Sequence, residues 1–145
     1  MAKSFDSWTA AWFIACMAFA AHIYDEALHG TFGFYSDLER MMVNVMPSIQ
    51  VMPFNFHVWL FNLTGTMVVL FALTPLVRAH HVLMVPASYL FATFLTANAS
   101  MHLILAMLRQ QAVTGSITAP IMLVAGLLLF VSTTRQMRPT GPKQG

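Results

Sequence analysis

Four runs of roughly twenty mainly apolar residues, the length that spans a bilayer, occupy most of this chain, at about 8–29, 54–77, 82–108 and 117–134. A helix rising 1.5 Å per residue crosses a hydrocarbon layer of about 30 Å in such a run. The intervals between them are short except for one, at about 30–53. Charge settles how to read these runs. Only 8% of the 145 residues are charged and 58% are hydrophobic, where a water-exposed domain carries about 25% charge. So little charge cannot keep a compact surface hydrated, whereas lipid asks for none. The expected fold is an all-α, integral membrane four-helix bundle. It forms a single transmembrane domain over 1–134, with a polar cytoplasmic tail at 135–145.

Several local readings attach to that frame. Trp8 and Trp12 open the first run as aromatic belt residues would. Lys3 and the small-x-small step Ala18-Phe19-Ala20 resemble parts of a cleavable signal. Asp6 and the helical pattern continuing to Glu26 argue for a retained span instead. The long connection, with Gly33, Pro47, Met41, Met42, Val45 and Met46, reads either as an amphipathic helix or lid in the interface or as an ordinary loop. Cys16 is the single cysteine, so no internal disulfide can form. Lys3, Arg78, Arg135, Arg138 and Lys143 fall on one side of four spans, Arg40 and Arg109 on the other. The positive-inside rule then puts both termini in the cytoplasm, with a bacterial inner membrane as the expected setting. Seven scattered Lys and Arg make no basic stripe, so nucleic acid is excluded as a partner. The expected partners are the lipid bilayer, a lipophilic small molecule and further copies of the chain.

The polar residues inside the runs are few and unevenly placed. His22, Glu26 and His29 share one helical face, with Asp25 at its margin. Antiparallel packing brings the same end of the bundle to His57 and Asn62 on the second run, Asn98 and His102 (i, i+4) on the third, and Thr114, Ser116 and Thr118 before the fourth. The opposite halves of the runs hold almost nothing polar. An ionisable group deep in a bilayer costs at least about 2.5 kcal/mol, so such groups usually face the bundle interior and serve a function. A lone Asn62 is read equally well as interhelical glue, and His80-His81 as a solvated turn.

His22-x-x-Asp25-Glu26 resembles the signature of the HXXEE-domain family of small four-span membrane proteins, with Asp at the first carboxylate. Asn98-Ala99-x-x-His102 is similar to that family's second histidine and its surroundings. Val113-Thr114-Gly115-Ser116-Ile117-Thr118-Ala119 resembles its Tyr-x-Pro-Gly segment loosely, lacking the Tyr and the Pro. The resemblance extends over about 8–134. It implies a site and not a reaction.

Three chemistries suit the site. In the first, a membrane-embedded enzyme performs acid–base catalysis of the isomerase, cyclase or hydratase type on a lipophilic molecule. Glu26 is then the acid or base, His22 and His102 its partners beside Asp25, and Asn98 the group that polarises an oxygen; Asn62, His57 and Thr118 line the substrate. In the second, His22, Glu26 and His102 hold one divalent metal, mononuclear Zn or Fe, with His29 a further candidate ligand. In the third, the cluster binds a proton or cation in a transporter or sensor without catalysis.

Overall fold

A computed structural model of the chain describes residues 6–29, 42–45, 55–110 and 112–137. The long connection expected at 30–53 lies outside the described residues except for a helical turn at 42–45, as does the tail beyond 137. Every regular element described is helical: α1 (Ser7–His29), α2 (Phe56–Ala72), α3 (Thr74–Arg78), α4 (Met84–Arg109) and α5 (Ala119–Gln136). With α2 and α3 counted as one span, four helices are long and apolar enough to cross a membrane, at Ser7–His29, Phe56–Arg78, Met84–Arg109 and Ala119–Gln136. The chain is thus an all-α four-helix bundle of membrane-protein type, with boundaries close to those expected.

Local chemistry sets where each helix starts and stops. Asp6 caps α1: its Oδ1 accepts the Thr9 N–H at 2.7 Å, satisfying one of the open donors of the first turn. Asn55 does the same for α2 through the Val58 N–H at 3.1 Å. The second span is not one helix as its hydropathy implied. Pro75 has no N–H to donate to the Phe71 carbonyl, and the helix breaks at Leu73 before resuming as α3. α4 ends on Gln110, in the left-handed conformation at φ 52. Pro120 stands in the first turn of α5, where a missing N–H costs nothing.

The tightest packing is between α4 and α5. A Cβ on Gly126 would lie 2.7 Å from the Thr96 hydroxyl and 3.1 Å from the Ala92 carbonyl, so only glycine allows this approach. α1 lies in the groove of that pair and buries Ala11, Ala15, Cys16 and Phe19 against it, together with Trp8 and Trp12. The two indoles are therefore not the membrane belt that their position suggested. Trp8 Nε1–H donates to Ser88 Oγ at 3.1 Å and Trp12 Nε1–H to the Leu70 carbonyl at 3.2 Å, tying the start of α1 to α4 and α2. α2 is the peripheral helix, with Met67 its only buried residue.

At that same end His80 Nε2 lies 2.7 Å from Asp6 Oδ2, so the first of the turn histidines is an ion-pair partner. Burial pushes the Asp6 carboxyl up, but the Thr9 N–H, the Thr9 hydroxyl and the His80 imidazole outweigh it. Together they hold the carboxyl below its ordinary range.

Candidate functional site

The opposite end of the bundle is polar. α1 contributes His22, Asp25 and Glu26 from its last two turns, and α4 contributes Asn98 and His102 from its second half. The turn at 114–118 leads into α5 and brings Thr114, Gly115 and Thr118 over them. His22, Asp25, Glu26 and His102 are all buried, at 0%, 7%, 3% and 4% exposure, among aliphatic and aromatic neighbours.

The hydrogen bonds favour Nδ1 as the protonated nitrogen of each imidazole. His102 Nδ1 lies 2.8 Å from the Thr114 carbonyl oxygen, which only accepts, so Nδ1–H is the donor. His22 Nδ1 lies 2.9 Å from Thr118 Oγ1. The single proton of that hydroxyl goes to Asp25 Oδ2 at 3.0 Å or to the Gly115 carbonyl at 3.3 Å. With that proton on Asp25 or Gly115, His22 Nδ1–H donates to Thr118. In their neutral forms both rings therefore present an Nε2 lone pair, and both face one carboxylate oxygen. Glu26 Oε1 is 3.3 Å from His102 Nε2 and 3.8 Å from His22 Nε2. The ligand atoms of the three residues all lie within 4.8 Å of one another. Two imidazole nitrogens and a carboxylate oxygen converging at these distances form a buried donor set that could hold a cation.

Around this convergence stands a supporting layer. Asn98 Nδ2–H donates to His22 Nε2 at 3.2 Å, and the Asn98 side chain is only half-buried. The Asp25 carboxylate is engaged on both oxygens: Thr118 donates to Oδ2, and His29 Nδ1, hydrogen-bonded to the Asp25 carbonyl at 2.9 Å, lies 2.8 Å from Oδ1. Gly115, at φ +80, forms the roof. A Cβ there would lie 2.8 Å from Cε1 of both His22 and His102, so the backbone closes directly onto the two rings. The rings themselves meet edge to face, with centroids 4.8 Å apart.

Family models, curated proteins and solved structures give no match to the chain. The site is therefore read from its own geometry. Of the residues singled out in the sequence, His22, Asp25, Glu26, Asn98, His102 and Thr118 come together. Thr118 holds Asp25 and His22 together, and does not stand as an isolated lining residue. His29 meets the cluster through Asp25 and is itself largely exposed. His57 and Asn62, expected to line the substrate, occupy exposed positions of the peripheral helix α2. Antiparallel packing does not set the direction in which α2 turns them. Two contributors escaped sequence reasoning: the Thr114 carbonyl, a backbone group, and Gly115, whose sharp turn was visible but not its contact with both rings.

Proposed function

We propose that the chain is a membrane-embedded metalloenzyme with one divalent ion, Zn or Fe(II), bound by His22 Nε2, His102 Nε2 and Glu26 Oε1. The observation that carries this reading is that His22 Nε2, His102 Nε2 and Glu26 Oε1 converge while each Nδ1 is held from behind, and a metal would displace the Asn98 amide from His22 Nε2. Ligand atoms around a tetrahedral Zn are about 3.3 Å apart at bonds of about 2.0–2.1 Å. The 3.3 Å and 3.8 Å separations already lie near that value. The surroundings also support it, because metal-bound histidines typically donate their other N–H to a carbonyl or carboxylate. His102 does so directly, and His22 does so through Thr118 to Asp25.

Two histidines and one carboxylate leave coordination positions open, the mark of a catalytic rather than structural site. A metal held there would polarise a substrate oxygen or lower the pKa of a bound water. The surrounding spans favour a lipophilic substrate, and the distribution of Lys and Arg favours cytoplasmic termini with the centre in the outer half of the membrane. A metal-free acid–base centre is the second reading, favoured by the 3.3 Å approach of Glu26 to His102, at which the pair can share one proton.

Metal analysis of the protein purified in detergent tests the assignment. About one ion per chain is expected, together with Co(II) absorption bands after exchange. His102→Ala, His22→Ala and Glu26→Gln should each abolish both. Sub-stoichiometric metal that His102→Ala leaves unchanged would refute the metal centre and favour the acid–base reading.

A further inference from the structure

We propose that this centre is reached from within the bilayer. Its substrate would be an oxygen-bearing compound with a single long hydrocarbon chain, the chain lying in the crevice between α2 and α4. The inference rests on the metal-centre reading for the position of the oxygen and on independent geometry for the chain.

Two observations fix the direction of approach. Along the bundle axis, the turn at 114–118 closes the site, since the Gly115 backbone rests on both imidazoles and the Thr114 carbonyl holds His102. Among the described residues of the centre, His22, Glu26 and His102 are sealed, while Asn98 is half-exposed. Its amide reaches His22 Nε2 at 3.2 Å, where a metal would bind. Asn98 thus stands between the centre and the outside, and what lies outside is apolar. Phe94 and Met101, on neighbouring turns of α4, are 47% and 39% exposed.

A crevice of about 460 Å³ begins one turn below, lined by Phe19, Leu63, Thr66, Leu70, Leu90 and Phe94. Phe19 precedes His22 by three residues on α1, and Phe94 precedes Asn98 by four on α4, which is about 4–6 Å of helix. The two phenyl rings meet edge to face at 5.4 Å, where the crevice approaches the centre. Among the described residues Thr66 is its only polar wall, and its hydroxyl donates to the Asn62 carbonyl at 2.8 Å. Such a wall gives water too few partners to be held. The volume lies within the range of small-molecule sites. The occupant that complements an apolar slot one helical turn from the amide and the proposed metal position has a hydrocarbon chain and one terminal oxygen function.

Photolabelling in nanodiscs tests this with a 16-carbon alcohol carrying a mid-chain diazirine. Label is expected on 63–70 and 87–94, competed by unlabelled hexadecanol and reduced about tenfold by Leu63→Trp, which fills the slot. Leu90→Trp on the same wall replaces it should that variant not fold. Even labelling over all membrane-facing residues, unchanged by competitor and by both variants, would overturn the proposal. A second measurement joins chain to metal: hexadecanohydroxamate should shift the Co(II) bands of the wild type and fail to do so in Leu63→Trp, while acetohydroxamate shifts both equally. Equal responses to both hydroxamates in both proteins would also overturn it. Absence of Co(II) bands in the wild type sinks the metal centre alone, because the labelling pattern still decides the crevice.

Discussion

Gly115→Ala is the most demanding single-atom test of the site. The glycine has φ +80, a region that costs an L-residue about 1–2 kcal/mol. The added Cβ would also meet His22 Cε1 and His102 Cε1 at 2.8 Å and His102 Nδ1 at 2.9 Å, whereas ordinary contact begins at 3.4 Å. Either the turn lifts or both rings retreat by about half an ångström, and close-packed interiors resist such shifts. Neither ring can retreat freely, since Thr114 and Thr118 hold their Nδ1 atoms. The strain therefore falls on the alignment of the two Nε2 atoms. Disturbing the groups that support metal ligands typically costs 10–100-fold in affinity. The expected result is a Co(II) affinity lowered by that factor and a melting temperature a few degrees down, from about 1–2 kcal/mol of backbone strain. Gly65→Ala on α2 is the matched control, because a Cβ there meets nothing within 4 Å and should change neither quantity. Competitive Co(II) titration and thermal unfolding in the same detergent read both. Wild-type affinity in Gly115→Ala would refute the claim that the turn rests on the two imidazoles.

Three further outcomes follow from the same contacts. Thr118→Val keeps the shape but removes the hydroxyl that links His22 to Asp25, so Co(II) affinity should fall about 10–100-fold, with Thr118→Ser restoring most of it. Gly126→Val should destabilise the bundle by about 1–3 kcal/mol by forcing α5 away from Thr96 and Ala92, read as a lower melting temperature. Asp6 is held below its ordinary carboxyl range, so the stability it contributes is present above the unfolded value near pH 4 and lost as pH falls through the folded value. Thermal unfolding from pH 7 to pH 3 should therefore show a shallower acid decline in Asp6→Asn than in wild type, modest in size because both Asp6 and His80 are partly exposed.

How much of this was legible in the sequence depends on what kind of contact each feature needs. The spans were legible because hydropathy is additive along a chain, and the helices begin and end close to the expected positions. Depth was also legible. A chain that crosses four times brings the end of α1, the end of α4 and the start of α5 to one level, which sufficed to gather His22, Glu26, Asn98, His102 and Thr118. Direction around each helix axis was not. α1 and α4 are oriented by tight packing, and their polar faces turn inward as the pattern implied. α2 packs loosely on the outside, so no strong term in its sequence forces Asn62 or His57 toward the others. Trp8 and Trp12 fail in the opposite sense, since an indole can satisfy its N–H inside a bundle as well as at a headgroup, and here Ser88 and the Leu70 carbonyl supply the partners.

The division of labour among the carboxylates is the step that only coordinates could supply. Asp25 and Glu26 are adjacent in sequence and both buried, which invites the expectation of a coupled acid–base pair. Adjacent residues on a helix differ by about 100° in direction, however. That rotation is enough to send Glu26 toward the two Nε2 atoms and Asp25 toward Thr118 and His29. Asp25 then acts on the centre only through the Thr118 hydroxyl and the His22 ring, orienting the ring without reaching its lone pair. The short Asp side chain fits that task, because it reaches a neighbouring hydroxyl across the helix interface but not the convergence itself. In the proposed centre one carboxylate would hold the cation and the other orients a ligand, so two consecutive positions serve two directions from a single turn of helix.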